Sequence, residues 1–342
     1  QTIQKLEEKG FTYTADDGSV FFKISQFPAY GKLAHLDPEQ LKSGERVAED
    51  EYEKEEGRDF ALWKGYKPTD GDVYWDSPWG KGRPGWHIEC SVMSTYYLGD
   101  HFDIHCGGVD NIFPHHENEI AQSCAASGEA FVNYWLHNEH LLVDNQKMSK
   151  SAGNFYTLRD LIDKKCSSEA IRYTLISTHY RSKLNFTFDK VRTSQKCINK
   201  LCELKRRLAL VKKDRDAVVT ASLTDEMLSG FSQKLGDDLN ISGALGELFT
   251  WVNDMFSRLD SDELNYDIAR QALSALGKVD EVLGVMEADQ VETDDEIQGL
   301  IDRRNQARAE KDWATADVIR KQLDELGIVL EDTSEGTIWK KK

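Results

Sequence analysis

The chain has 342 residues and carries 60 acidic against 43 basic side chains, a formal net charge of −17 at pH 7. That balance argues against a general nucleic-acid coat, while leaving room for a nucleic-acid partner held on local basic faces. No apolar run is long enough to span a bilayer, no secretory signal pattern is present, and the six cysteines include no CxxC pair. The expected setting is therefore a reducing cytoplasm, with most thiols packed as small core residues.

In chain order, residues 1–10 read as the tail of a helix, and a start at Gln1 rather than Met points to a fragment or a processed chain. FTYTADDGSVFF, residues 11–22, reads as a hairpin about an Asp-Asp-Gly turn. Residues 37–58 are acidic and poor in apolar side chains, which suits a surface insertion. Residues 75–86, rich in Gly, Pro and Trp, read as a constrained loop rather than an element. HIECSVMSTYYLG then suits a buried helix, HFDIH a short strand broken by Cys106-Gly107-Gly108, and residues 116–127 a second helix. HLLV, a two-residue turn at Asp144 and Asn145, and QKMS suggest a further strand reversal. Strands alternating with helices across glycine-rich crossings favour an α/β sheet.

Beyond residue 193 the pattern is helical. Leu201, Leu204 and Leu208 fall on one stripe, Leu245, Leu248, Val252 and Met255 on a second, and Ala272, Leu276, Val279 and Leu283 on a third, as in a helix bundle. A basic run from Lys196 to Lys213 reads as a solvated face or, alternatively, a phosphate-contact stripe. A final unit opens at Thr293 with Glu296 as a capping box, and has two helices followed by the strands IVLED and TIWKK.

Two stretches carry chemistry. In NQKMSKSAGN, residues 145–154, Lys147 and Lys150 stand three apart beside two serines and a glycine. The stretch is either a solvated polar turn or an anion clamp in which the ammonium groups act as point charges on phosphate. In FPHHENE, His115 and Glu119 stand four apart and share a helix face. They form either a surface pair or, with Cys90 upstream, a borderline-soft metal site for which zinc is the obvious candidate.

The ordered set GRPGWHIECS (82–91), GGVD (107–110), FPHHENEIAQS (113–123), KMSKS (147–151) and HYRSKLNF (179–186) resembles the cysteinyl-tRNA synthetases, of the class I aminoacyl-tRNA synthetases. The stretches LGDDLNISGAL (235–245) and KDWATADVIRKQLDELGIVLED (311–332) extend the resemblance over nearly the whole chain. It implies an α/β plus all-α chain: the C-terminal half of a Rossmann-type catalytic domain, a helical bundle, and a small α+β C-terminal domain. The expected divisions are residues 1–60 (the end of the N-terminal half and the acidic insertion), 61–152 (catalytic, with the zinc site and the KMSKS loop) and 153–195 (stem contact). Residues 196–290 would be the tRNA-binding bundle, and 293–342 the anticodon-recognition unit.

The resemblance also implies roles. Cys90, His115 and Glu119 are expected to hold one Zn2+ that grips the substrate thiolate, and Trp86 to line the amino-acid pocket. Lys150, helped by Lys147, would stabilise the leaving pyrophosphate of ATP, used with Mg2+. Asp110 and Gly108 would face the ATP ribose, and His105 the nucleotide region. Arg308, Trp313 and Asp317 would read the anticodon of tRNA(Cys). L-cysteine, ATP and tRNA are the implied partners, with no membrane, and a monomer in the cytoplasm is implied.

Two departures stand out. The family's amino-terminal portion, with its His-Ile-Gly-His signature and another zinc-ligand cysteine, has no counterpart in residues 1–75, and His35 reads as surface. Three of four zinc ligands remain, so the chain alone is not expected to form the adenylate at a useful rate. Cys106 stands where a glycine is expected and should pack rather than ligate. Two other readings stay open: a ligase joining cysteine to an amino-sugar through the same adenylate, and a non-catalytic tRNA-binding fragment.

Overall fold

The computed structural model describes residues 1–36, 59–212, 222–286, 291–333 and 336–341. The acidic stretch 37–58 and Lys213 lie outside them. The described chain divides into two units, Gln1–Phe155 with Thr178–Thr187, and Tyr156–Ser177 with Phe188–Lys342.

The first unit opens with helix α1 (Thr2–Glu8), then the antiparallel strands β1 (Thr12–Thr14) and β2 (Val20–Phe22) of the expected hairpin. Strand β3 (Phe60–Gly65) and strand β4 (Gly82–Pro84) complete an antiparallel sheet in the order β1-β2-β3-β4. The glycine- and proline-rich segment thus contributes a strand, where the composition predicts only a loop. Its glycines permit the close pairing, because a Cβ on Gly82 would lie 2.3 Å from the Lys64 carbonyl oxygen. Behind the sheet, Leu6, Val20, Phe22, Phe60 and Leu62 pack with Ile88 and Ala121 of two following helices. Each such large side chain contributes about 1.5–3 kcal/mol by leaving water.

Helix α2 (Trp86–Leu98) and helix α3 (Glu117–Ser127) flank strand β5 (Phe102–Gly108), which pairs in parallel with β6 (Val132–Asn138). Two expectations change here. First, β5 runs through Cys106-Gly107-Gly108 instead of breaking, since the parallel ladder continues to Gly108 opposite Asn138. Second, α2 is not a buried helix. Only Ile88 and Ser91 are buried on it, while Met93, Tyr96, Tyr97 and Leu98 are exposed. Its apolar residues are spread around the axis, so one sheet covers only one side of it. Strand β7 (Leu141–Val143) turns through Asp144 and Asn145, both at positive φ, into β8 (Gln146–Lys147), and pairs in parallel with β9 (Leu184–Phe186). The two-residue turn at Asp144 and Asn145 is what the sequence predicts, and Asx residues are among those that tolerate left-handed φ.

Buried polar groups tie residues 30–34 to α3. Glu117 is 1% exposed and accepts hydrogen bonds from the backbone N–H of Gly31 (2.8 Å) and Ala34 (2.9 Å). Tyr30 donates to Asn118.

The second unit begins with α4 (Leu158–Asp163), capped by Thr157, and α5 (Ser168–Ile176). The bundle follows as α6 (Phe188–Ala209), α7 (Ser222–Gly236), α8 (Ile241–Asp260) and α9 (Tyr266–Leu283). Its predicted stripes face inward: Leu201, Leu204, Leu208, Leu248, Met255 and Leu276 are all at most 1% exposed. Arg172 donates to the carbonyls of Leu283 and Val282, closing the C-terminus of α9 where cations are favoured. The basic run is partly committed to the bundle itself. Lys200 donates to Asn253, Arg207 pairs with Asp260 at 2.6 Å and Arg206 with Glu203, while Lys212 lies past the helix end.

Helices α10 (Val291–Ala309) and α11 (Trp313–Glu325) and the antiparallel strands β10 (Ile328–Thr333) and β11 (Gly336–Lys341) close the chain around Ile297, Ile301, Ile319 and Leu323. Helix α10 starts two residues before Thr293, so that threonine is helical rather than a cap; its side chain and that of Glu296 lie outside the described residues. Among the described residues no helix is long and apolar enough to cross a membrane.

Candidate metal centre and lysine loop

The site grows from the junction of β3 and α2. Gly85 donates to the Leu62 carbonyl at 2.9 Å, and a Cβ on it would fall 1.9 Å from the Ala61 carbonyl oxygen. The first turn of α2 is thereby fixed against β3, with Trp86, His87 and Cys90 on it. Across from it, the helical stretch Ile112–His116 and α3 carry His115, His116 and Glu119.

Cys90, His115 and Glu119 converge, their ligand atoms all within 4.8 Å of one another. Cys90 is half-buried, His115 is 6% exposed and Glu119 is fully buried. His115 Nε2 lies 3.0 Å from Glu119 Oε1, yet neither carboxylate oxygen meets hydrogen-bond geometry with any described residue. A carboxylate buried without hydrogen bonds is costly unless a cation compensates it. The thiol, imidazole and carboxylate donor set, with that orphaned carboxylate at its centre, fits a zinc ion. Burial pushes the Cys90 thiol up, with Glu119 and Glu89 adding to it.

A second set lies on the other side of the same carboxylate. His105 Nε2 is 3.6 Å from Glu119 Oε2, and His105, His116 and Glu119 also hold their ligand atoms within 4.8 Å. His116 Nδ1 sits 2.7 Å from His137 Nε2, and His87 Nδ1 sits 2.7 Å from His115 Nδ1. Burial drives His116 down to about 3, with His105, His137 and His115 contributing, and lowers His105 and His137 as well. Burial thus disfavours the charged form of His105, His116 and His137. His105, assigned by resemblance to the nucleotide region, belongs geometrically to this cluster.

Trp86 is 66% exposed, its ring 4.9 Å from that of His115. Asp110 is exposed, and its carboxylate folds over Gly108, where a Cβ would lie 2.3 Å from Oδ1. Cys106 is exposed rather than packed and joins neither donor set. The other five thiols are half-buried, so none is a fully buried core residue as expected from composition.

Lys147 and Lys150 are exposed. The turn between and after them is braced by Asn154, which accepts from Ser149 N–H (2.9 Å) and donates to the Lys147 carbonyl (3.1 Å). Ser149 Oγ accepts from Ala152 N–H at 3.2 Å, and Lys150 Nζ stands 5.6 Å from the centre of the Phe155 ring. In the C-terminal unit, Trp313 heads α11 and is 60% exposed, so its ring does not cap a core. Arg308 and Asp317 are exposed as well.

His87, His116, His137, Glu117 and Asn154 join the site without a role expected from the sequence. The doubled histidine of FPHHENE was the available signal for His116. His87, His137 and Glu117 are brought in by packing between elements distant in sequence, whereas Asn154 braces its own loop through Ser149 and Lys147.

The family model described as tRNA synthetases class I (C) catalytic domain matches residues 1–196, and that described as cysteinyl-tRNA ligase anticodon binding domain matches residues 291–339. A cysteine–tRNA ligase of Brachyspira hyodysenteriae is 51% identical over 99% of this chain and 73% of its own length. One from Protochlamydia amoebophila is 45% identical over all of this chain and 73% of its own length. Among solved structures, a putative arginyl-tRNA synthetase of Campylobacter jejuni aligns over 85% of this chain and 61% of that chain, with a TM-score of 0.52 at 14% identity, a likeness of fold alone. With a catalytic-domain match over more than half of the chain and relatives of this identity over its full length, the chain belongs to the cysteine–tRNA ligase family of class I tRNA synthetases.

Proposed function

We propose that the chain serves the joining of L-cysteine to tRNA(Cys) through a cysteinyl adenylate, in the cytoplasm and as a monomer, with ATP and Mg2+ as the family uses them. Cys90, His115 and Glu119 would hold a zinc ion. When bound, zinc supplies a soft Lewis acid that favours a substrate thiolate over a hydroxyl. The convergence of those three donors on a buried, orphaned carboxylate carries this reading.

The remaining roles belong to the chain's own groups. The exposed Trp86 ring would cover the amino-acid side chain beside His115. Asp110, at the glycine-rich end of β5, would accept from the ribose hydroxyls, and Gly108 would let the nucleotide approach the backbone. Lys150, with Lys147, would meet the negative charge that shifts to the leaving phosphates as the carboxylate of cysteine attacks the α-phosphorus. The reading rests on geometry and chemistry of these groups, together with the family membership. The amino-sugar ligase reading gains nothing from the match of residues 291–339 to an anticodon-binding unit.

The test uses Co(II), which reports thiolate ligation as a charge-transfer band. Added L-cysteine is expected to strengthen that band in the Co(II)-loaded chain, whereas L-serine leaves it unchanged. The Cys90→Ala chain should lose the band present before substrate. Equal responses to cysteine and serine would overturn the reading.

On the RNA side, Arg308, Trp313 and Asp317 would contact unpaired anticodon bases by stacking and hydrogen bonding. Loss of one base–aromatic stack costs about 1–3 kcal/mol. Trp313→Ala should therefore weaken binding of a cysteine tRNA roughly tenfold or more in a filter or gel-shift titration, with the melting curve of the protein unchanged. Unaltered affinity would remove Trp313 from the interface.

A further inference from the structure

Gln122 is a fully buried polar side chain that the scheme above leaves without a task. It lies on α3 one turn beyond Glu119, so the two share a face of that helix. Ser91, 2% exposed, follows Cys90 on α2. Its hydroxyl donates to Gln122 Oε1 at 2.6 Å, across the seam between the helices, whereas the His87 carbonyl of its own helix is farther, at 3.4 Å. One turn earlier on α2, His87 meets His115 at 2.7 Å. The Ser91–Gln122 contact thus joins the neighbour of one candidate metal ligand to the turn that follows another.

Stability alone does not account for this pair. With its oxygen taken by Ser91, the Gln122 amide nitrogen is buried with no hydrogen-bond partner among the described residues. An unsatisfied buried donor is a cost that two apolar side chains of the same shape would not carry. What the hydrogen bond supplies, and apolar packing does not, is direction. Ile88 of α2 and Ala121 and Ala125 of α3 sit in the core beside it, and their attraction follows the area buried, which changes little if the helices slide. A hydrogen bond weakens steeply when misaligned, and metal–ligand distances must hold to within about 0.2 Å.

We propose that Ser91 and Gln122 are positioning residues, whose hydrogen bond sets α2 against α3 so that Cys90 and Glu119 stand at ligand spacing. Neither side chain touches the ion. The proposal rests on the reading of Cys90, His115 and Glu119 as the zinc ligands.

Metal-free chains are titrated with Co(II), the thiolate charge-transfer band giving affinity, and urea unfolding of the metal-free form is followed separately. Ser91→Ala and Gln122→Met should each weaken Co(II) binding about tenfold, the lower end of what loss of an outer partner costs, and each should lower the urea midpoint. The double variant should regain most of the midpoint, since neither partner is left unpaired, while its Co(II) affinity stays as low as in the single variants. Thr174→Val is the control. Its hydroxyl meets that of Ser194 at 2.7 Å, also buried, in the second unit. That change should lower stability and leave the band and the affinity unaltered. Co(II) affinity within twofold of the parent in both single variants, or an affinity that recovers together with the midpoint in the double, would overturn the positioning role. Should Gln122→Met fail to fold by circular dichroism, Ser91→Ala decides alone: a tenfold loss with a shifted band at saturating Co(II) is expected, and an unchanged band and affinity overturn the proposal. An unsubstituted chain without a thiolate band would overturn the zinc reading itself, and the positioning role with it.

Discussion

Lys150→Ala should lower cysteine-dependent ATP–pyrophosphate exchange about 100- to 1000-fold, the cost of removing one preorganised group that meets charge developing in a transition state. The comparison is with the same protein carrying lysine, in a form that catalyses the exchange. Lys150 is exposed on a turn tied back on itself by Asn154 and Ser149, so its ammonium does little for the fold. The loss should therefore fall on kcat, with the KM for cysteine nearly unchanged, because Cys90, His115 and Glu119, proposed to hold the thiol-binding metal, sit on other elements. Lys147, at the end of β8, should give a smaller effect when replaced. A Lys150→Ala protein within threefold of the parent rate would return the loop to a solvated turn.

Gly85→Ala should destabilise the first unit by about 3 kcal/mol, at the upper end of what overpacking usually costs. The added methyl would fall 1.9 Å from the Ala61 carbonyl oxygen, a backbone atom with no flexible end to swing away. Either β3 or the start of α2 must move. Since Trp86 and Cys90 ride on that helix, metal affinity should fall together with the urea midpoint. Gly246→Ala is the matching control: it lies within α8, with nothing near the added carbon. That change should be neutral or raise stability by up to about 1 kcal/mol, since alanine is the better helix former. An unshifted midpoint for Gly85→Ala would show that the junction is not close-packed.

What could be read in advance follows from the range of the interactions involved. Local rules identified the β1–β2 hairpin, the Asp144-Asn145 reversal, the bundle stripes and the His115–Glu119 pair, because each depends on residues within a few positions of one another. The misreadings share the opposite property. Strand β4 exists because Gly82 can approach β3, and Cys106 lies within a strand because β6 continues alongside it; neither partner is visible from the local segment. The exposed side of α2 could not be told from a core stripe, since apolar composition reports what could be buried, not what covers it. For the site, residue type and spacing found Cys90, His115 and Glu119, but the second histidine set needed β5, β6 and α3 to meet. The two lysines were visible from composition, whereas their brace, Asn154, was not, because an asparagine at a turn has many ordinary uses.

The two-residue reversal between β7 and β8 makes the placement of the lysine pair a matter of parity. Side chains alternate sides along a strand, so one residue gained or lost there would deliver Lys147 to the opposite side of the ribbon. A change of two would restore the side but displace the ammonium roughly 7 Å along the chain direction, at about 3.4 Å per residue. The left-handed Asp144 and Asn145 thus act as a counting device, and drift in length should be tolerated after Lys150 far better than before Lys147.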